Sequence, residues 1–217
     1  GADRSEVSRA VFSKARADSL KKNKVYIVVP EQYSFESERK LYYALAGERN
    51  SGIEVVSFTS LSSLIFKKYG GITGDYLNDS GRFLLMSLAL QSVKDNLSVY
   101  AGHADNPSMT AAMMNAVNEM KYAGITPLML EDAMGRLDKE GLRSKISDIS
   151  LIYSAYQSMI DRSFADPADS LSRMCGMLKE ENFFEGTSVC FDAFNDFTGA
   201  QLAVVEQILR QSGEVCI

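Results

Sequence analysis

The stretch Ser188-Val189-Cys190-Phe191-Asp192-Ala193-Phe194-Asn195-Asp196 places an acid at the end of an apolar run and an alanine directly after it. A carboxylate at such a strand end can hold a magnesium ion against the phosphates of a nucleotide. Hydrolysis then needs a group that activates or positions water, usually a second carboxylate, and Ala193 cannot supply one. Asp196 is near in sequence but belongs to the following turn. The phosphates would need a cradle, and Gly1-Ala2-Asp3-Arg4-Ser5-Glu6 stands where one would finish, immediately before a helical pattern. Such a loop ends Gly-x-Gly-Lys-Ser/Thr, with backbone amides around the phosphates, Lys on the terminal phosphates and the hydroxyl on magnesium. Here Gly1 is the first glycine, Arg4 the cation and Ser5 the hydroxyl, while Asp3 replaces the second glycine. Its side chain crowds the loop and its charge repels phosphate, and Arg4 exchanges a point charge for a planar fork. The same residues also read as a plain helix N-terminus capped by Asp3 or Ser5.

Other chemistries find little support. His103 is the single histidine and lies in a polar loop, Ala101-Gly102-His103-Ala104-Asp105, without a serine elbow or a partner histidine. Cys175, Cys190 and Cys216 are an odd count without close spacing, which argues against a disulfide framework or a zinc site. Cys190 and Cys216 sit in apolar runs and read as buried thiols in a cytoplasmic protein. The net charge of −5 offers nucleic acid no global attraction, and Lys21-Lys22 with Lys24, or Lys67-Lys68, read as solvated faces. No apolar run approaches the roughly 20 residues that span a bilayer, so no membrane partner is expected. The chain opens on Gly1 without Met and stops on the apolar Glu214-Val215-Cys216-Ile217, which reads as a piece of a longer fold.

The elements that would position these residues form two patterns. Residues 24–30, 53–58, 188–194 and 214–217 are apolar, β-branched runs of the kind buried on both faces of a parallel sheet. Helical spacing links Val7, Ala10, Val11 and Ala15, then Phe35, Leu41, Tyr42 and Leu45, then Leu202, Val205, Ile208 and Leu209. Strand alternating with helix is the pattern of an α/β layer. From about 79 to 180 the spacing predicts helices alone, with Ser80 capping the first, Gly124 stopping the second, and Thr126 with Pro127 opening the third. Met109, Met113, Met114 and Met120 form a stripe that suits core packing or an adaptable surface. The expected architecture is a parallel sheet flanked by helices, with a large all-helical insertion between its second and third strands.

Four segments then carry a resemblance: 25–41 with Val-Pro-Glu-Gln-Tyr-Ser-Phe, 53–71 with Ser-Phe-Thr-Ser-Leu, 166–174, and 190–201 with Phe-Asp-Ala-Phe-Asn-Asp-Phe-Thr. Together they resemble the N-terminal part of AddB, a subunit of the bacterial ATP-dependent helicase–deoxyribonuclease that processes double-strand breaks, and more widely the UvrD-like helicases. The resemblance implies a P-loop NTPase, RecA-like fold. Residues 1–75 and 185–217 would form subdomain 1A, and 76–184 the helical subdomain 1B. It implies a largely inactivated helicase region that holds single-stranded or unwound DNA beside an AddA-like partner, in recombination and DNA repair. Gln32, Tyr33, Ser34 and Phe35 fall on one strand-contacting motif, and Ser57, Phe58, Thr59 and Ser60 on a second. Hydroxyls and helix N-termini suit phosphate, and aromatics suit stacking on bases. Phe35 and Phe58 equally suit core positions beside strand ends. ATP with magnesium, held by Ser5 and Asp192, is the cofactor the resemblance suggests for an intact subunit, and the family's iron–sulfur cluster and nuclease centre lie outside this chain. The segment alone is expected to have neither ATPase nor nuclease activity. A domain that hydrolyses ATP when complete, or a platform for the partner subunit, are the alternatives.

Overall fold

The run Lys24–Val28 (β1) turns alternate side chains to opposite faces, as the period of two requires. Val25, Ile27 and Val29 join Val11, Phe12, Ala15, Leu41 and Ile53 in one apolar layer. Tyr26 and Val28 join Phe58, Leu61, Ile65, Leu178 and Ile208 in the other. The computed structural model describes residues 4–21, 23–45, 52–70, 75–161 and 164–217. Contacts divide the chain into two compact units, Gly1–Gly71 with Ser170–Ile217, and Ile72–Asp169.

The first unit runs α1 (Arg4–Leu20), β1, α2 (Ser34–Ala44), β2 (Ile53–Val56) and α3 (Phe58–Tyr69). The second holds β3 (Asp75–Tyr76), α4 (Asp79–Val93), α5 (Pro107–Ala123), α6 (Pro127–Met134), α7 (Glu140–Ile160) and β4 (Phe164–Ala165). The chain then re-enters the first unit through α8 (Ser170–Glu180), β5 (Thr187–Phe191), α9 (Gly199–Gln211) and β6 (Glu214–Cys216). Its strands form one parallel sheet in the order β2-β1-β5-β6. The apolar residues of α1 and α2 share a layer on one face, those of α3, α8 and α9 on the other. This is the α/β sheet with a helical insertion that the sequence predicts.

Several particulars differ. Residues 170–184, expected in the insertion, belong to the sheet unit, because Met174, Cys175, Leu178 and Phe184 complete the layer around Phe58 and Ile208. The insertion is not free of strand: Phe164–Ala165 pairs in parallel with Asp75–Tyr76. Asn78 rather than Ser80 caps α4, accepting the Gly81 N–H at 2.9 Å. Phe35, Tyr42, Leu202 and Leu209 are exposed although their helical spacing predicts burial. A helix lying on a sheet covers only one stripe, and in α9 Val204, Val205 and Ile208 already fill it.

The helical unit packs Met86, Leu90, Met113, Val117, Ile152 and Tyr156 into its own core, with Met109, Met114 and Met120 against it. The methionine stripe is therefore core. Thr126 caps α6 and Gly124, at φ 74°, closes α5 in the left-handed conformation, both as the sequence predicts. Two buried carboxylates organise the unit. Asp148 of α7 accepts the N–H groups of Ser98, Val99 and Tyr100 at 2.7–3.1 Å and so pins the segment after α4. Asp166 receives Lys121 at 2.8 Å, the Ala168 N–H at 3.0 Å and the Tyr156 hydroxyl at 3.4 Å. Arg82 Nε stands 3.1 Å away, close enough to pair charges but turned so that it makes no hydrogen bond. Burial, and then the Asp166 charge, pushes the Tyr156 hydroxyl well above its ordinary range.

Candidate functional site

In an open parallel sheet ligands sit outside the carboxyl ends of the strands, where the connections leave in opposite directions. Here β1 leads outward to β2, while β5 lies on its other side and leads to β6, so the switch lies between β1 and β5. Three turns meet there. The first follows β1 through Pro30, a 3-10 turn over Glu31–Tyr33, and α2. The second is the start of α3, where Ser57 and Ser60 cap each other reciprocally, with Ser60 N–H on Ser57 Oγ at 3.1 Å and Ser57 N–H on Ser60 Oγ at 2.7 Å. The third runs from Asp192 to Thr198 and is closed by a second capping box, Thr198 with Gln201. Glu31 ties the first two together by accepting the Thr59 N–H at 3.1 Å.

Asp192 continues the β5 ladder, its N–H bonding the Val28 carbonyl at 3.0 Å. Its carboxylate is 4% exposed and accepts the Ser8 hydroxyl of α1 at 3.0 and 2.9 Å from its two oxygens. No cation pairs with it among the described residues. Ala193 then takes φ 66°, a left-handed conformation that costs a residue with a β-carbon about 1 kcal/mol. That kink re-aims the chain into the aromatic turn. Phe194 and Phe197 stack at 4.7 Å between ring centres, and Phe58 meets Phe194 edge-on at 5.7 Å.

Two openings flank the kink. One of about 160 Å³ is lined by Ser8, Tyr33, Glu36, Ser37, Lys40, Asp192 and Ala193. The other, about 330 Å³, lies between the first and third turns and is lined in part by Gln32, Tyr33, Asn195, Asp196, Thr198 and Gln201. Asp192 and Asp196 therefore face different openings, which share Tyr33 and Ala193. Lys40 is the single cation among these lining residues, and it bonds Glu36 at 2.8 Å, which holds the Glu36 carboxyl below its usual range.

The predicted residues thus separate. Gln32, Tyr33 and Asp192 converge on the switch point. Phe58 is 5% exposed, inside the aromatic cluster, so it packs rather than presents a ring to a base. Ser57 is buried and spends its hydroxyl on the cap. Ser34 Oγ is enclosed, without a hydrogen-bond partner among the described residues. Ser34, Ser57 and Ser60 line a different groove, over β2. Phe35, 77% exposed, and the exposed Thr59 line none of these openings. Gly1 and Asp3 lie outside the described residues; the backbone of Arg4 and Ser5 opens α1, and their side chains lie outside the description. His103 sits exposed in a 3-10 turn of the helical unit. Sequence reasoning missed Ser8, Ser37 and Lys40. Ser8 was findable, since it stands one helical turn beyond Ser5 on α1. The pair Thr198 and Gln201 also spells a capping box.

Among the described residues, no cluster of three metal-ligating acids, histidines or cysteines exists, and no helix is long and apolar enough to cross a membrane. All three cysteines are free, and burial pushes the Cys190 thiol up to about 12.

Comparison with known proteins supplies the family. The sequence matches the family described as ADDB, N-terminal, over residues 1–217. It is 30% identical over 207 residues to the AddB subunit of the ATP-dependent helicase/deoxyribonuclease of Clostridioides difficile (strain 630), covering 94% of this chain and 18% of that protein. The subunit of the same name from Thermoanaerobacter sp. (strain X514) is 29% identical, over 88% of this chain and 17% of its own length. That from Clostridium tetani (strain Massachusetts / E88) is 29% identical, over 94% and 18%. The chain spans less than a fifth of the length of these relatives, and it belongs to the AddB N-terminal family.

Proposed function

We propose that this chain is the helicase-like region of an AddB-type subunit, one that holds single-stranded or unwound DNA during double-strand-break processing and does not hydrolyse ATP. In this reading the sheet unit is a RecA-like P-loop layer, subdomain 1A, and the helical unit is the 1B insertion. An AddA-like partner supplies the motor. The family assignment supports the setting, and the relatives' names describe a subunit of a helicase/deoxyribonuclease. One observation carries the loss of hydrolysis: the residue beside the buried Asp192 is Ala193, and the next acid, Asp196, faces another opening.

Asp192 and the adjacent hydroxyls are hard oxygen donors that fit a magnesium ion, which uses one or two carboxylates and completes its shell with phosphate and water. Asp192, with Ser5 by the family resemblance, would hold it, and the ion would neutralise charge on a bound nucleotide. The chain's own residues supply the rest: Ser8 orients the Asp192 carboxylate, and the Ala193 kink carries the aromatic turn away from it. No described group at this opening stands where a water-activating base is needed, so a nucleotide held here acts as a fixed ligand rather than as fuel.

The DNA-holding part rests on Phe35, Tyr33, Gln32 and Thr59. These present rings, an amide and a hydroxyl, with no unpaired cation among the residues lining the two openings. They contribute stacking and hydrogen bonds, and add little to the salt dependence that phosphate neutralisation produces. The test is binding of a fluorescent oligothymidine by the intact subunit assembled with its partner. Phe35→Ala and Tyr33→Ala should each weaken binding about 5- to 100-fold, the range set by loss of one stacked base. Binding that does not change in the double variant overturns the DNA-holding role and leaves a platform for the partner subunit.

A further inference from the structure

The sheet has an unprotected edge at β2, which no second strand covers among the described residues. Two bonds fix how its backbone faces. Val25 N–H bonds the Gly52 carbonyl at 2.7 Å, and Val29 N–H bonds the Val56 carbonyl at 2.9 Å. Even-numbered residues therefore turn their peptide groups toward β1, and alternation turns those of Ile53 and Val55 outward. Native edges are usually blunted by proline, lysine or a bulge. Ile53-Glu54-Val55-Val56 has neither proline nor lysine and pairs in register with β1 along its whole length.

This edge lies at the floor of a groove of about 850 Å³. Its walls belong to the helices of the two opposite layers. Leu41, Tyr42 and Leu45 of α2 form one wall, and Leu64 and Lys67 of α3 the other. A helix on each face of a sheet, both reaching past its last strand, leaves a slot one strand wide. Four residues of β2 make it about 13 Å long at the usual rise. The lining carries Glu31, Glu38 and Glu54 against one cation, Lys67. Glu54 is paired with Lys24 at 3.3 Å, whereas Glu38 has no ion pair among the described residues. Acidic walls repel a phosphate backbone, and they also repel a second copy of the same edge.

We propose that the β2 edge is a docking slot for an extended segment of a partner protein, one that alternates apolar side chains with lysine or arginine and adds as a strand beside β2. Ile53 and Val55 offer it two N–H donors and two carbonyl acceptors. The apolar side chains enter between Tyr42 and Leu45, and the basic ones meet Glu38 and Glu31. This is the strand-addition mode of peptide recognition, in which backbone bonds give affinity and alternate side chains give specificity.

The 217-residue chain tests it, with a fluorescein-labelled peptide alternating valine with lysine and threonine as the probe and fluorescence anisotropy as the readout. The lysine peptide should bind about ten-fold more tightly than its glutamate counterpart, and N-methylation of alternate backbone amides should abolish binding. Val55→Pro removes an outward N–H that the β1 ladder does not use, so the fold should persist while affinity falls about ten-fold. Glu38→Lys, which touches no backbone bond, should reverse the preference between the two peptides. Absence of binding by the lysine peptide overturns the proposal. So does equal affinity for the N-methylated peptide, or a preference that survives Glu38→Lys.

Discussion

Asp166 in the helical unit and Asp192 in the sheet unit are both withdrawn from water, at 1% and 4% exposure, yet their surroundings are opposite. Asp166 is met by Lys121 and Arg82 and by the hydroxyl of Tyr156. Asp192 is met by a neutral hydroxyl, Ser8, and no cation stands within ion-pair distance among the described residues. Burying a carboxylate is costly unless its charge is paired. The helical unit meets that cost with its own side chains, and Asp166 is a structural knot. The sheet unit does not, which leaves Asp192 able to receive a cation from outside. A buried acid is thus informative about ligand binding chiefly when the chain has failed to neutralise it.

Substitution should separate the two carboxylates sharply. Lys121→Met strands Asp166 and should cost about 3–5 kcal/mol in urea unfolding of the chain. Asp192→Asn keeps an acceptor for Ser8 and removes an unpaired charge, so stability should change by less than about 1.5 kcal/mol. Similar losses for the two variants would erase the contrast.

The aromatic pair named by the sequence divides along the same line between structure and surface. Phe58→Ala should cost about 3–5 kcal/mol, since the ring is buried against Phe191, Phe194 and Phe197. Phe35→Ala should cost under about 0.5 kcal/mol, as a surface change does, while weakening DNA binding. Thermal unfolding of both variants checks the first half.

Alkaline titration gives the smallest effect. Burial and nearby carboxylates raise the hydroxyls of Tyr153 and Tyr156 above the ordinary tyrosine value of about 10. A raised folded value means that the stabilisation is complete below about pH 10 and declines as pH rises toward the folded values. Tyrosinate absorbance should therefore show two groups of the helical unit that ionise only as it unfolds. Free titration of every tyrosine near pH 10 would contradict the burial of this cluster.

The sheet was legible because its signal is local. Apolar runs at 24–30, 53–58, 188–194 and 214–217 each contain a strand, and the strand-end position of Asp192 followed directly. The Asp166 cluster was not legible, since Arg82, Lys121, Tyr156 and Asp166 come from separate segments that only tertiary packing brings together. Nor was the split among the site residues. Phe35 and Phe58 occupy similar places after their strands, yet Phe35 falls outside the stripe of α2 that faces the sheet, while Phe58 falls under the turn 192–198. The boundary of the insertion was misplaced for a related reason: α8 is as amphipathic as the helices before it, and only its partners assign it to the sheet.

The most direct test is ATP turnover by the intact subunit assembled with a partner whose own ATPase has been disabled. With Ala193 beside Asp192, turnover should not rise above background, with or without DNA, and Asp192→Ala should leave that background unchanged. Turnover that is present in the natural subunit and abolished by Asp192→Ala would show a working hydrolytic site and contradict the claim that this domain has lost its motor.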